Sequence, residues 1–352
     1  MKYLFVFFTI SILILGCSKE DSSTTSTSEG STSEGSSSVS MSFFGKVAQG
    51  YIEGAKVFAD LDSDRVRDSN EAQATSDSGG CYTLQVEPGN WTLISQGGTF
   101  LDSQGNKINA LPMKAPAPTT SGAIAELECG STQISSTAVN ITPLTSLVAA
   151  NSSLKSKFNA LGGNGWNSDI ASSSGVPGKL LRISQTVEQA LKTLSSGDYA
   201  ILSSDTSKLK TMDKLADAFT KQKNISSKEA LTAAVQEGLV NALNDEQVVI
   251  LTLTQKKIKG AFVDAAKVAV EGVASAISDT SESVVESSVA LTLETALDNA
   301  TSVVNRVVNL VSNPKYAKFC GGTSLKDNSS CPSIDNESFL AVARFGYVVF
   351  SE

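Results

Sequence analysis

The 352-residue chain contains no histidine, and that absence removes a large part of enzyme chemistry. Ser-His-Asp and Cys-His nucleophilic catalysis, histidine-ligated zinc or haem, and any imidazole-based pH switch are excluded. Basic residues are also scarce: 28 Lys and Arg against 36 Asp and Glu leave a net charge of −8. A nucleic-acid binder needs a cationic face to neutralise phosphates, so nucleic acid is not an expected partner. No Cys-x-x-Cys pair exists to hold zinc. The glycines at 162, 163 and 165 lack the Lys-Ser/Thr that completes a phosphate loop. No apolar run is long enough to span a bilayer. The apolar fraction, 41%, is nevertheless ample for real cores, and the length suits two domains of ordinary size.

The first segment reads as a processing signal. One lysine precedes an apolar run over 3–15, too short and wrongly flanked for a membrane-spanning helix. The run ends in Ile14-Leu15-Gly16-Cys17, which resembles the bacterial lipoprotein box. The resemblance implies cleavage after residue 16 and acylation of the Cys17 thiol. Each buried methylene adds about 0.8 kcal/mol, so a multiply acylated cysteine is a stable membrane anchor. The alternative is an ordinary signal peptide that ends near a cysteine. Ser18, rather than Asp, follows the cysteine. By resemblance to the Gram-negative sorting rule this implies the outer membrane. Lys19, Glu20 and Asp21 resemble the surface-export signal of Bacteroidetes lipoproteins and imply a cell-surface-facing body; the plain alternative is a solvated charge cluster. Residues 17–42 are mostly Ser, Thr, Gly and Glu, which cannot build a core. They read as a disordered tether, whose roughly 25 residues reach on the order of 25–30 Å.

From residue 43 the pattern changes to short β-rich runs separated by turn residues. Candidate strands are 43–47, 55–60, 81–86, 91–95, 124–128 and 139–141, with turns at Ser78-Gly79-Gly80, Pro88-Gly89-Asn90 and Gly97-Gly98. The succession of the runs 45–58, 60–71, 75–82 and 88–91 resembles the prealbumin-like surface modules: carboxypeptidase-regulatory-like, collagen-adhesin B-type and serine-aspartate-repeat B domains. Gly97-Gly98-Thr99 and the run 141–148 resemble the ends of such modules. The resemblance covers roughly 100 residues and implies a β-sandwich, of prealbumin or Ig-like type, over 43–148.

The chemistry of this region lies in its acidic loop. Asp60, Asp62, Asp64, Asp68 and Glu71 occupy positions 1, 3, 5, 9 and 12 of a twelve-residue segment, with the Val66 carbonyl at position 7. That is the ligand spacing of an EF-hand loop. Ca2+ takes six to eight hard oxygens, and alternate side chains of a curled loop converge on one point. Mg2+ keeps its waters and fits less well. Position 6, normally glycine, is Arg65, at a conformational cost of about 1–2 kcal/mol. Arg65 and Arg67 also bring positive charge beside the cation. The alternative reading is a solvated acidic turn in which the two arginines offset the carboxylates. A bound calcium would be structural, stiffening a loop whose carboxylates otherwise repel one another.

Setting Cys17 aside leaves Cys81, Cys129, Cys320 and Cys331, which allow three pairings. The local pairs Cys81–Cys129 and Cys320–Cys331 are the simplest, and an exported chain meets an oxidising compartment. Buried reduced thiols are the alternative.

From residue 178 the apolar period becomes helical. Leu180, Leu181, Ile183, Val187, Ala190, Leu191 and Leu194 share one face, and Leu209, Met212, Leu215, Ala216 and Phe219 another. Ser226 with Glu229 reads as a capping box opening a third helix, and Asn244 with Gln247 as the next start. Further helices are expected to about residue 315. Residues 263–315 contain no aromatic side chain, and their charges recur too often for a spanning helix. The expected fold class is therefore α+β and multidomain. A signal peptide (1–16), tether (17–42) and β-sandwich (43–148) precede an α-helical bundle (149–315) and a disulfide-closed loop with a terminal strand (316–352).

Ser152-x-x-Lys155 and Ser207-x-x-Lys210 match a Ser-Lys acylase spacing, but no Lys-Thr-Gly partner exists and serines are abundant. Lys46 or Lys56 with Asn140 suits an intramolecular isopeptide only if a buried acid lies beside them. Trp166 and Asp169 could line a sugar or second metal site, or simply pack on the helices. The function expected is a non-catalytic outer-membrane lipoprotein in adhesion or cell-envelope organisation, with the membrane and a protein or glycan as partners. A glycan- or small-molecule-capture lipoprotein would instead show a cleft bearing Trp91 or Trp166. A carboxylate-dependent hydrolase would show two facing carboxylates away from 60–71.

Overall fold

The computed structural model describes residues 41–252 apart from 88, 103–104, 118–128, 130–137, 173–174 and 196–199, together with 255–256, 259–260, 263, 266–267 and 270. The chain is mixed α and β, with antiparallel sheets first and helices after. β1 (Met41–Lys46) pairs with β4 (Cys81–Val86), placing Phe43 opposite Leu84 and Lys46 opposite Cys81. A four-stranded sheet runs in the order β3 (Gln73–Thr75), β2 (Lys56–Asp60), β5 (Thr92–Gln96), β8 (Met113–Pro116). β6 (Thr99–Leu101) and β7 (Lys107–Asn109) form a small hairpin.

Local chemistry explains these elements. In β4, Tyr82, Leu84 and Val86 point inward and Thr83 and Gln85 outward, the alternation of a half-buried strand. β2 and β5 are the central strands and are apolar on both faces: Val57, Phe58, Ala59, Leu93 and Ile94 are all fully buried. The segment 139–141, expected as a strand, is joined to β1 by isolated bridges rather than a ladder, with Val139 N–H donating to the Phe44 carbonyl and Ile141 N–H to that of Lys46. It runs so close that a Cβ on Gly45 would lie 1.8 Å from the Val139 carbonyl oxygen, which requires glycine there. The candidate strand 124–128 lies outside the described residues.

Most of the run 141–148, which resembled the end of a β module, is instead helical: helix α1 spans Pro143–Ala150. Thr142 caps it, Thr145 reciprocates, and Pro143 occupies the first turn, where a missing N–H costs nothing. α1 covers the open edge of the four-stranded sheet. The Lys114 N–H donates to Ser146 Oγ at 2.9 Å, and the Lys114 carbonyl accepts from the Thr145 and Ser146 hydroxyls at 3.1 Å. Side chains of a helix thus satisfy the backbone groups that a further strand would have used.

α2 (Leu154–Asn159) and a short 3-10 turn (Gly165–Asn167) lead to α3 (Gly178–Ser195), α4 (Asp205–Lys221) and α5 (Lys228–Asn244). The cap of α5 is Ser227, accepting from the Ala230 N–H; Ser226 bonds Asn224 instead. Asn244 does not open a helix but ends α5, and Asp245 accepts from the Gln247 N–H in the turn that follows. The buried apolar side chains of strands and helices form one continuous core. The helices expected beyond 271 and the terminal strand lie outside the described residues.

Candidate metal centre

The acidic loop leaves β2 at Asp60 and returns at β3. Asp60 closes a strand and is carried inward with it, at 2% exposure, whereas Asp62, Asp64 and Asp68 are exposed. The loop is curled by its own carboxylates. Asp62 Oδ1 accepts the Asp64 N–H at 3.2 Å, and Asp64 Oδ1 the Val66 N–H at 2.6 Å. Glu71, also buried, closes the ring: Oε1 accepts from Leu61 at 2.8 Å and Oε2 from Asp68 at 3.0 Å. Ser63 and Arg65, positions 4 and 6, take left-handed backbone conformations with φ of +67° and +68°. The turn that normally needs glycine is therefore made here with arginine.

These bonds bring the carboxylates together. One oxygen each from Asp60, Asp62 and Glu71 lie within 4.8 Å of one another, as do one each from Asp62, Asp64 and Asp68. Both groups could hold a metal ion, and Asp62 belongs to both. The decisive detail is Asp60. It accepts the backbone N–H groups of Ser63 and Arg65, yet its Oδ1 is buried with no hydrogen-bond partner. Burial, then the neighbouring charge of Glu71, pushes its carboxyl above the usual carboxylate range. An orphaned buried carboxylate oxygen is costly unless a cation meets it. The donor set is all oxygen, which suits a hard cation rather than zinc or copper.

The two arginines point away from this ring. Arg65 Nη2 donates to Asp213 Oδ2 of α4 at 2.8 Å, and Arg67 Nη1 donates to Gln73 Oε1 of β3 at 2.8 Å. Asp213 also pairs with Lys114 of β8, whose side chain is 7% exposed. Burial pulls the Lys114 pKa down, against the opposing pull of Asp213. Arg65 and Lys114 therefore share one carboxylate from the helical layer.

The other candidates are dispersed. Lys46 Nζ reaches Asp169 Oδ2 at 3.1 Å and Tyr51 at 3.3 Å, while Lys56 Nζ bonds Thr75. Burial alone would lower the Lys46 pKa, but the pair with Asp169 outweighs it and raises it, so this amine stays protonated. The Asn140 side chain is engaged by the Lys46 N–H and by the Asn167 carbonyl, so no lysine amine meets it. Lys155 lies over the Trp166 ring and Lys210 donates to the Gln247 carbonyl, so neither Ser-x-x-Lys spacing makes a dyad. Trp166 is buried, and Trp91 is buried edge-on to Phe43 with its Nε1–H on the Glu87 carbonyl. Cys81 and Cys129 are joined, with Cα atoms 5.7 Å apart. Cys17, Cys320 and Cys331 lie outside the described residues. Among the described residues no helix is long and apolar enough to cross a membrane.

No family model, curated protein or solved structure matches the chain.

Proposed function

We propose that this chain is a non-catalytic, calcium-braced lipoprotein of the outer membrane. It would be anchored through Cys17, face the cell surface and serve in adhesion or cell-envelope organisation. In this reading residues 43–148 are a prealbumin-like β-sandwich whose 60–71 loop binds calcium structurally, and residues 149–315 are a helical bundle. The observation that carries the calcium part is the orphaned, buried Oδ1 of Asp60 at the head of a loop with oxygen donors at positions 1, 3, 5, 7, 9 and 12. Asp60, Asp62, Asp64, Asp68 and Glu71 would supply carboxylate oxygens and Val66 its carbonyl. The ion would supply the charge that lets five carboxylates occupy one turn. The anchor rests on the Leu-Gly-Cys sequence at 15–17 and on the Ser/Thr-rich stretch after it.

Two experiments test the placement. Cys17→Ser should move the protein from the membrane to the soluble fraction; a variant that remains with the membrane would contradict the anchor. Protease shaving of intact cells should remove the body from the wild-type protein. Complete protection, with digestion only after lysis, would contradict the outward orientation.

A further inference from the structure

Arg65 stands where an EF-type loop normally carries glycine, and the structure gives it a task that glycine cannot perform. Its backbone is left-handed, with φ of +68°, and its carbonyl accepts from Gln96 Nε2 of β5 at 3.2 Å. Its guanidinium leaves the loop and meets Asp213 at 2.8 Å. Asp213 lies mid-way along α4, a 17-residue helix whose Leu209, Met212, Leu215, Ala216 and Phe219 are buried in the core, so it is a fixed counter-charge. Lys114 of β8 holds the same carboxylate from the sheet side. One side chain of the helical layer is thus clamped between the loop and the edge strand.

We infer that Arg65 is a positioning residue, and that the Arg65–Asp213 ion pair couples cation binding in the 60–71 loop to the docking of α4. The inference rests on the calcium reading of that loop. The pair acts in two ways. It anchors position 6 in the left-handed conformation that brings the carboxylates together. It also neutralises a guanidinium that would otherwise repel a divalent ion from a few residues away. Coupling is reciprocal: if the pair strengthens cation binding, the cation strengthens the pair and with it the seating of α4. An ion bound at one end of β2 would then brace the sheet against the helices as well as stiffening its own loop.

The test uses the chain from residue 18 to 352, which keeps every described residue. Removing Asp213 alone would strand the buried Lys114 ammonium and endanger folding, so Lys114→Met serves as the parent. It should bind Ca2+ at least as tightly as the unaltered chain in calorimetric titration. Adding Asp213→Asn should weaken binding by about five-fold or more. Adding Arg65→Gly to that pair should restore it to within about two-fold of the parent, because glycine takes the same backbone conformation without a charge. In parallel, Ca2+ should slow hydrogen exchange of the α4 amides in the parent and not in Lys114→Met/Asp213→Asn. Equal Ca2+ affinity and equal α4 protection in those two proteins would overturn the inference and leave the calcium reading intact. A parent and an unaltered chain that both fail to bind millimolar Ca2+ would overturn both.

Discussion

Replacing Cys81 and Cys129 together by serine is expected to lower the melting temperature by roughly 10 °C. The two cysteines are 48 positions apart, and closing a loop of that size in the unfolded chain corresponds to about 4 kcal/mol in the chain-entropy account. For a body the size of residues 41–252 each kilocalorie shifts the midpoint by about 2–4 °C. The native side of the comparison points the same way. Cys81 begins β4, whose Lys46–Cys81 pairing ends the β1–β4 ladder, and Asp77 already holds its N–H at 2.9 Å. The bridge therefore fastens residue 129 to a strand already fixed by its own hydrogen bonds. A thermal scan of the double serine variant against the oxidised parent reads the effect. Identical midpoints would show that the bridge contributes nothing to folding.

Asp60→Asn should produce a crossing that few substitutions give. Without calcium, the parent buries a carboxylate with an unpartnered oxygen beside Glu71, and its pKa is raised by that burial. The sign of the linkage follows. A carboxyl that holds its proton more tightly when folded favours the folded state below about pH 4, and that advantage is lost as pH rises through the raised value. At neutral pH in chelator, Asp60→Asn removes the buried charge and should melt higher than the parent, by an amount corresponding to about 1–3 kcal/mol. With calcium the order reverses. Ligation stabilises the parent by about 2.7 kcal/mol when the free ion reaches a hundred times its dissociation constant, whereas the variant lacks the first ligand. Protons compete for the same oxygen, so the calcium-dependent rise in the parent should shrink toward acid pH. A variant that melts below the parent in chelator, or that gains as much from calcium, would remove Asp60 from the account.

Much of the fold can be read from residue order, and the exceptions share a cause. Among the described residues the three long helices show themselves through apolar spacing, with Leu180 to Leu194 and Leu209 to Phe219 marking buried faces that α3 and α4 do present. β4 shows itself through alternation. The short strands β3, β6 and β7 have three residues each and no pattern that distinguishes them from turns. β8 is hidden by Lys114, a lysine buried because its partner, Asp213, stands 99 positions later. α1 does carry a local signal, the reciprocal Thr142–Thr145 cap with Pro143, which the likeness to a β module obscured. The acidic loop is legible because its ligand spacing is local. The fate of Arg65 is not, since the carboxylate that takes its charge lies 148 positions away. Position 6 therefore reads as a defect in the sequence and as an attachment point in the fold.

Calcium binding is tested most directly by calorimetric titration of Ca2+ into the chelator-stripped chain, residues 18–352, beside the Asp62→Ala/Asp64→Ala variant. One ion per parent chain is expected, at an affinity that millimolar calcium saturates, and none in the variant, because Asp62 belongs to both groups of converging carboxylates. A parent that takes up no ion at millimolar Ca2+, or a variant that binds it as the parent does, would mean that the 60–71 loop is not a calcium site.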